Sequence, residues 1–525
     1  MIFSNLFRSG GGGTVMAQAT LTVENRMSEV LSGVAPAHPS ASSAQQAPDD
    51  GHLYRQLALR LQEAMLLGSL AAGDRLPSVR DLARREGVSL ATAVSCYRHL
   101  ENLGLVEARP RSGYYVASRP PRLAEPEMQR VSDPASMVSV STSIVSILAA
   151  MRRPGIVPLG AACPGPALFP LAKLRRLLAA QDRASLDAIG RYGLGMGHAG
   201  LRAQLVKRYA RADVLLAPED IVVTVGAMEA LNLALQATTK RGDTVAIESP
   251  TYFGTLQIIE NLGLKALEIP TSPRDGLSLD ALDLATRTPG AVQALVVMPT
   301  LQNPLGAIMP DAHRERLVAM MQARGIPVIE DDIYGELVHG RPRPRPLKSW
   351  DRDGNVLLCG SFTKVLAPGF RVGYLAAGKW QAQVEYLKFV HTVATSEVLQ
   401  GVIAAFMDNG GYDHHLRHLR EAFHGQLLRM TGAVERHFPA GTRLTRPDGG
   451  FLLWVELPDG LASMALYERA LREGIYIAPG SIFSGSDRFD HCLRINCGYP
   501  WSPEIERALE TLGRLCRDML AERAA

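Results

Sequence analysis

The sequence predicts an α/β protein preceded by a small helical module that closes in a β-hairpin. Three observations lead there. Over residues 146–525, six short β-rich runs alternate with helical patterns: IVVTV (221–225), VAIES (245–249), ALVVMP (294–299), VIEDD (328–332), VLLCGS (356–361) and GYLAAG (373–378). Such alternation is the mark of a mostly parallel sheet. Over residues 51–119 the apolar period is helical instead, with Leu53, Leu57, Leu61 and Met65 four apart on one stripe. Between the two, residues 120–145 have the Pro and Ser content of a linker.

At 525 residues the chain is too long for one ordinary domain, and 46% hydrophobic with 21% charged residues suits globular domains. Residues 1–50 are rich in Ser, Ala, Gly and Pro without a sustained period and are expected to be disordered, with Met16 and Met27 as alternative starts. In the helical module, GSLAAGD breaks the first helix. Ser78, with Asp81 three residues on, caps a short second helix that stops at Gly87. Ser89 caps a third, with Val94, Tyr97, Leu100 and Leu103 expected to face inward and Gly104 as its stop. LVEARPRSGYYVAS then reads as two strands around a Pro/Ser/Gly turn. Three helices and a hairpin are the parts of a winged helix-turn-helix.

Six cysteines without a CxxC pair argue against zinc and disulfide frameworks and suit a reducing cytosol. No apolar run approaches the roughly 20 residues that span a bilayer, and no secretory h-region opens the chain. A cytoplasmic location is therefore expected. The net charge of +4 is small for the whole chain, but ten arginines face six acidic residues within 51–119, so the excess is concentrated there. Arginine supplies both phosphate and guanine-edge contacts to DNA; a solvated helical face would carry the same charges. The order of motifs decides between them. LPSxRxLA, the GVS turn, YxxLxxxGLV and the SGYYV wing together closely resemble the GntR-type winged helix. That resemblance implies a DNA contact for Arg80 and a recognition helix opened in the major groove by Ser89, Ala91 and Thr92. It also implies a wing tip of Arg111, Ser112 and Gly113. Where many relatives carry Arg after the serine, this chain has Leu90.

The larger domain contains SFTKVLAPGFRVGYL at 361–375. A lysine in apolar surroundings has a lowered pKa and becomes an amine nucleophile toward an aldehyde. Ser361 and Arg371 bracket Lys364 and suit a phosphate. An aldehyde plus a phosphate describes pyridoxal 5′-phosphate (PLP). The other parts stand upstream. Asp331, in VIEDDIYGEL, can keep a pyridine nitrogen protonated from the end of a strand. Gly226, Ala227 and Met228 open a helix toward a phosphate. Tyr252 can stack on a ring, and Asn303 can donate to a phenolic oxygen. Singly, Asp331 reads as a helix cap, Tyr252 as core and Asn303 as a turn residue; together, in this order, they argue for one site.

This set resembles the fold-type I PLP-dependent transferases of the aminotransferase class I/II group, over about residues 155–515. The resemblance implies a large α/β domain with a mostly parallel sheet and a small α+β domain. It implies Lys364 as the amine that holds the cofactor, Asp331 on the pyridine nitrogen, and Asn303 and Tyr334 on the phenolic oxygen. Tyr252 would lie over the ring, with Ala227, Met228, Ser361 and Arg371 around the phosphate. Tyr192 matches a tyrosine that reaches across a dimer interface, although Leu194 and Gly195 replace the Asp and Pro of the usual YxDPxG. Arg494, in CLRINCGY, matches the holder of a substrate α-carboxylate; a strand-edge ion pair is its plainer reading. A GntR-type winged helix joined to such a domain resembles the MocR subfamily of bacterial regulators. The subfamily implies a homodimer that binds operator DNA and senses PLP or an amino compound. Two functions stay open: a regulator with a sensing pocket, or a working transaminase with a secondary DNA-binding module. A pocket that binds nothing is disfavoured by the intact lysine, aspartate and arginines.

Overall fold

The computed structural model describes residues 50–524, apart from 67–68, 110–111, 118–121, 130–132, 152, 182–187, 191–192, 194 and 487. The segment expected to be disordered, wing residue Arg111 and Tyr192 therefore lie outside the described residues. The chain divides into two compact units, Met1–Arg122 and Leu123–Ala525.

The first unit holds α1 (Asp50–Leu66), α2 (Val79–Glu86) and α3 (Leu90–Asn102), then the antiparallel hairpin of β1 (Val106–Arg109) and β2 (Gly113–Val116). Both predicted caps form: Ser78 Oγ accepts from the Asp81 amide at 3.2 Å, and Ser89 Oγ from the Thr92 amide at 3.0 Å. Gly87 ends α2 at φ 63°, the left-handed geometry that glycine adopts without strain. Leu57 and Leu61 are buried as the stripe requires, while Leu53 and Met65 are only partly so. Of the residues expected to face inward along α3, Tyr97, Leu100 and Leu103 are buried and Val94 is not. Ala93, Cys96, Tyr97 and Leu100 are buried and Val94 is half-exposed. Steps of three, one and three keep that set on one stripe, and Val94 falls about 100° from Ala93 around the axis. Tyr97 pins the unit together. Its hydroxyl donates to Pro77 O at 2.7 Å, and its ring stacks on Tyr114 of the hairpin at 4.5 Å.

The second unit is built on a mixed sheet. Its strands are β3 (Ser136–Met137), β4 (Ile221–Thr224), β5 (Thr244–Ser249), β6 (Lys265–Ser272), β7 (Gly276–Leu277), β8 (Ala294–Val297), β9 (Val328–Asp331), β10 (Val356–Ser361) and β11 (Gly373–Ala376). They lie in the order β3-β6-β5-β8-β9-β10-β11-β4, with β7 paired to β6. From β6 to β10 every pairing is parallel, and β11 runs antiparallel to β10 and β4. The central strands are almost wholly buried, as apolar runs covered on both faces must be. All six predicted runs are strands. β6 was not among them, because Lys265 and Glu268 interrupt its apolar pattern. A second, antiparallel sheet has the order β12 (Arg443–Leu444), β13 (Leu452–Glu456), β15 (Cys492–Asn496), β14 (Ala478–Pro479). With helices Gly411–His437 and Pro503–Ala524 it makes the smaller α+β part.

The stretch expected as a linker is docked on this second unit over its described residues. Ala124 O accepts from the Leu444 amide at 2.9 Å, Glu125 pairs with Arg274 at 2.7 Å, and β3 pairs with β6. Its partners lie far away in sequence, which is why its Pro and Ser content suggested a free tether.

Ser89→Ala removes the α3 cap and is expected to lower the stability of the first unit by about 1 kcal/mol. Urea unfolding followed by helical circular dichroism reads this as an earlier transition; an unchanged midpoint contradicts the cap's role.

Candidate functional site

In the first unit, Arg80 at the start of α2 and Ser89 and Ala91 at the start of α3 are exposed, with Leu90 54% exposed between the latter two. Thr92 is not: it is 4% exposed, with its hydroxyl 2.7 Å from Ser89 Oγ, so it props the cap instead of facing outward. In the hairpin, Ser112 Oγ lies 2.6 Å from Tyr115 OH, and Gly113 turns the chain at φ 109°. A Cβ on Gly113 would lie 3.7 Å from Arg75 Nε, and Arg75 bridges to Tyr115, which adds a cation beside the wing that motif reading did not assign. Arg80 and Arg98 make no ion pair among the described residues and are exposed.

In the second unit, a cavity of about 150 Å³ opens where the parallel strands end. The β10–β11 connection carries Lys364, whose Nζ donates to Ala162 O at 2.5 Å. The same connection ends at Arg371, in a left-handed backbone at φ 53°. The Arg371 guanidinium donates to Thr363 Oγ1 at 3.3 Å and to Val225 O at 3.4 Å. Val225 and Gly226 lead into α4 (Ala227–Thr238), with Gly226 at φ 80° as its cap. A Cβ on Gly226 would fall 2.6 Å from the movable end of Arg371, and the φ of 80° is what favours glycine here. Ala227 and Met228 line the cavity. Ser361 does not: its hydroxyl donates to Val372 O at 3.1 Å and accepts from the Thr363 amide at 3.1 Å. Thr363, quoted in the motif but given no role by it, is the hydroxyl on the cavity wall.

Asp331 ends β9 at the same edge and accepts from the Ile333 amide at 3.2 Å. Burial, with neighbouring Asp332 adding to it, pushes its carboxyl up to about 7. Burial also brings the Lys364 amine down to about 8. Tyr252, Asn303 and Tyr334 line the cavity, and burial raises both tyrosines. From β15 in the smaller sheet, Arg494 donates to Asn303 Oδ1 at 2.9 Å and to Gly160 O at 2.8 Å. With the Asn303 oxygen so engaged, its amide nitrogen is left as the donor. Arg494 is 1% exposed and its Nε has no partner among the described residues. Lys364, Asp331, Arg371, Ala227, Met228, Tyr252, Asn303 and Tyr334 thus line one cavity; Ser361 and Arg494 do not, Arg494 standing behind Asn303, and Tyr192 lies outside the described residues. Motif reading also missed the buried network beside the cavity, where Asp332 pairs with Arg343 and accepts from Tyr209 OH at 2.9 Å. The second aspartate of VIEDD was the only local sign of it. Among the described residues no cluster could hold a metal ion, and no helix is long and apolar enough to cross a membrane.

Residues 53–116 match the family described as bacterial regulatory proteins, gntR family, and residues 169–512 match aminotransferase class I and II. The uncharacterized HTH-type transcriptional regulator YdcR of Escherichia coli (strain K12) is 39% identical over 468 residues, covering 89% of this chain and 99% of that protein. The 2-aminoadipate transaminase of Thermus thermophilus is 30% identical over 394 residues, 74% of this chain and 96% of that one. Among solved structures, LysN is an alpha-aminoadipate aminotransferase from the same organism, complexed with N-(5′-phosphopyridoxyl)-L-leucine. It matches with a TM-score of 0.66 at 30% identity, over 72% of this chain and 95% of that one.

A lysine with its amine near 8 is a free nucleophile only above that pH. The rate at which an aldehyde probe captures Lys364 should rise tenfold per pH unit below about 8 and level off above it. A rate still rising through about pH 10, where an ordinary lysine titrates, contradicts the desolvated site.

Proposed function

Because the chain belongs to the MocR-like family, GntR-type helix-turn-helix regulators fused to a class I and II aminotransferase domain, we propose that it regulates transcription by binding operator DNA and PLP. The first unit reads the DNA; the second senses PLP or an amino compound. What carries the reading is the convergence of Lys364 and Asp331 on one cavity, without ion-pair partners among the described residues, with Arg494 bonded to Asn303 of its wall.

The residues present fit PLP. Lys364 offers a lowered amine for its aldehyde, and Asp331 a carboxylate for its pyridine nitrogen. Arg371, Thr363 and the first turn of α4 offer donors for its phosphate. Asn303 and Tyr334 can donate to the phenolic oxygen, and Tyr252 can cover the ring. When bound, the cofactor supplies a conjugated ring that withdraws electrons from an amine joined to it. The unpartnered Nε of Arg494 is left to take a carboxylate oxygen of an amino acid. The proposal includes a homodimer in the cytoplasm, with Tyr192 in the role of the tyrosine that crosses the dimer interface.

A transaminase is the second reading, favoured by the intact Lys364 and by the similarity to the 2-aminoadipate transaminase. The regulator is preferred because a DNA-binding unit adds no chemistry to an enzyme. Titration with amino acids separates them: a spectral shift without keto acid means sensing, and sustained keto acid release means catalysis.

Purified protein reconstituted with PLP should be yellow, and Lys364→Ala should remove the visible band. A wild-type chain that stays colourless after reconstitution contradicts the cofactor assignment. Arg80→Ala should weaken binding to the chain's own upstream DNA by about tenfold, ~1.4 kcal/mol, while leaving the visible band intact. Equal affinity at physiological salt would take Arg80 off the DNA surface.

A further inference from the structure

One ion pair, its lysine buried and its carboxylate partly exposed, braces the first turn of α4. Lys388, on α5 (Gln381–Thr392), is 2% exposed. Its Nζ donates to Glu229 Oε2 at 2.8 Å and to Thr395 Oγ1 at 2.9 Å. Glu229, the third residue of α4, also accepts from the Val225 amide at 2.5 Å and from Thr392 Oγ1 at 2.7 Å. Through these donors it fixes the Val225–Gly226 turn, whose carbonyl on Val225 receives Arg371. The clasp is held under strain. Val393, between Thr392 and Thr395, sits at φ 57° and ψ −65°, a conformation that a β-branched residue rarely adopts.

The charge of Glu229 poses a problem for this turn. A helix N-terminus favours an anion through roughly half a positive charge. A bare carboxylate in the first turn would cancel that attraction and repel a phosphate dianion. Glu229 is nevertheless needed for its grip on the Val225 amide. Lys388 resolves the conflict by neutralising the carboxylate while leaving its hydrogen bonds in place. We propose that Lys388 is a positioning residue for phosphate binding, which keeps Glu229 as a turn anchor without its repulsion of the ligand's phosphate. The inference rests on the reading that PLP's phosphate lies at the start of α4.

The test compares PLP with pyridoxal, which has the same aldehyde and ring but no phosphate, on the full-length protein freed of ligand. Equilibrium binding is followed by visible absorbance. Lys388→Met is expected to weaken PLP binding by about tenfold, or ~1.4 kcal/mol, and to change pyridoxal binding by less than about twofold. Glu229→Gln with Lys388→Met removes both charges and keeps an acceptor for the Val225 amide; it should return PLP affinity to within about threefold of wild type. Equal losses for PLP and pyridoxal in Lys388→Met overturn the proposal and leave a merely structural pair. So does a double variant that has lost the wild-type preference for PLP over pyridoxal. If Lys388→Met does not fold, the double variant decides alone by that same preference. A wild-type chain that binds neither aldehyde overturns the cofactor reading itself, and this inference with it.

Discussion

Lys364 and Asp331 on the cavity wall, and Arg494 behind Asn303, are withdrawn from water, and each has only neutral hydrogen-bond partners. Leaving a charge buried and unpaired costs several kcal/mol. The first two groups meet this cost by moving toward neutrality: burial lowers the lysine to about 8 and raises the aspartate to about 7. Arg494 cannot do the same, so its charge stays, with Nε unpartnered. Fold stability alone would favour apolar side chains at these positions. On the proposed reading, a ligand with an aldehyde, a basic ring nitrogen and anionic groups would supply what each residue lacks.

The sheet is what brings the three together. Parallel strands β9 and β10 end at the same edge, so Asp331 and the Lys364 connection face one space. Because β11 returns antiparallel to β10, that connection is short, and Lys364 and Arg371 both lie on it. β4 pairs with β11 and delivers Gly226 and α4 against Arg371. From the smaller sheet, β15 carries Arg494 to Asn303 on the cavity wall. The cavity and the groups behind it are therefore assembled from segments as far apart as Gly226 and Arg494, 268 positions, at the edge where open α/β sheets gather their ligands.

Much of this was legible because the informative features are local. Caps at Ser78 and Ser89, the Gly87 stop, and the strand runs ending at Asp331 and Ser361 each follow from a few adjacent residues. The features that escaped are those set by distant partners. Thr363 takes the cavity wall because Ser361 turns to Val372, and Thr92 turns inward to Ser89. The docking of the described residues between 122 and 140 depends on Leu444, Arg274 and β6. Glu229 and Lys388 are 159 positions apart, and no pattern in either segment announces the other.

A sensing pocket requires that occupancy of the cavity at Lys364 be coupled to DNA binding by the first unit. Coupling between two ligands is reciprocal, so PLP must change DNA affinity by the factor by which DNA changes PLP affinity. The direct measurement is operator affinity at fixed salt, with and without saturating PLP and amino acid, for wild type and for Lys364→Ala. The expected result is a change of about fivefold or more in wild type and none in the variant. Identical affinities in wild type with and without ligand would contradict it.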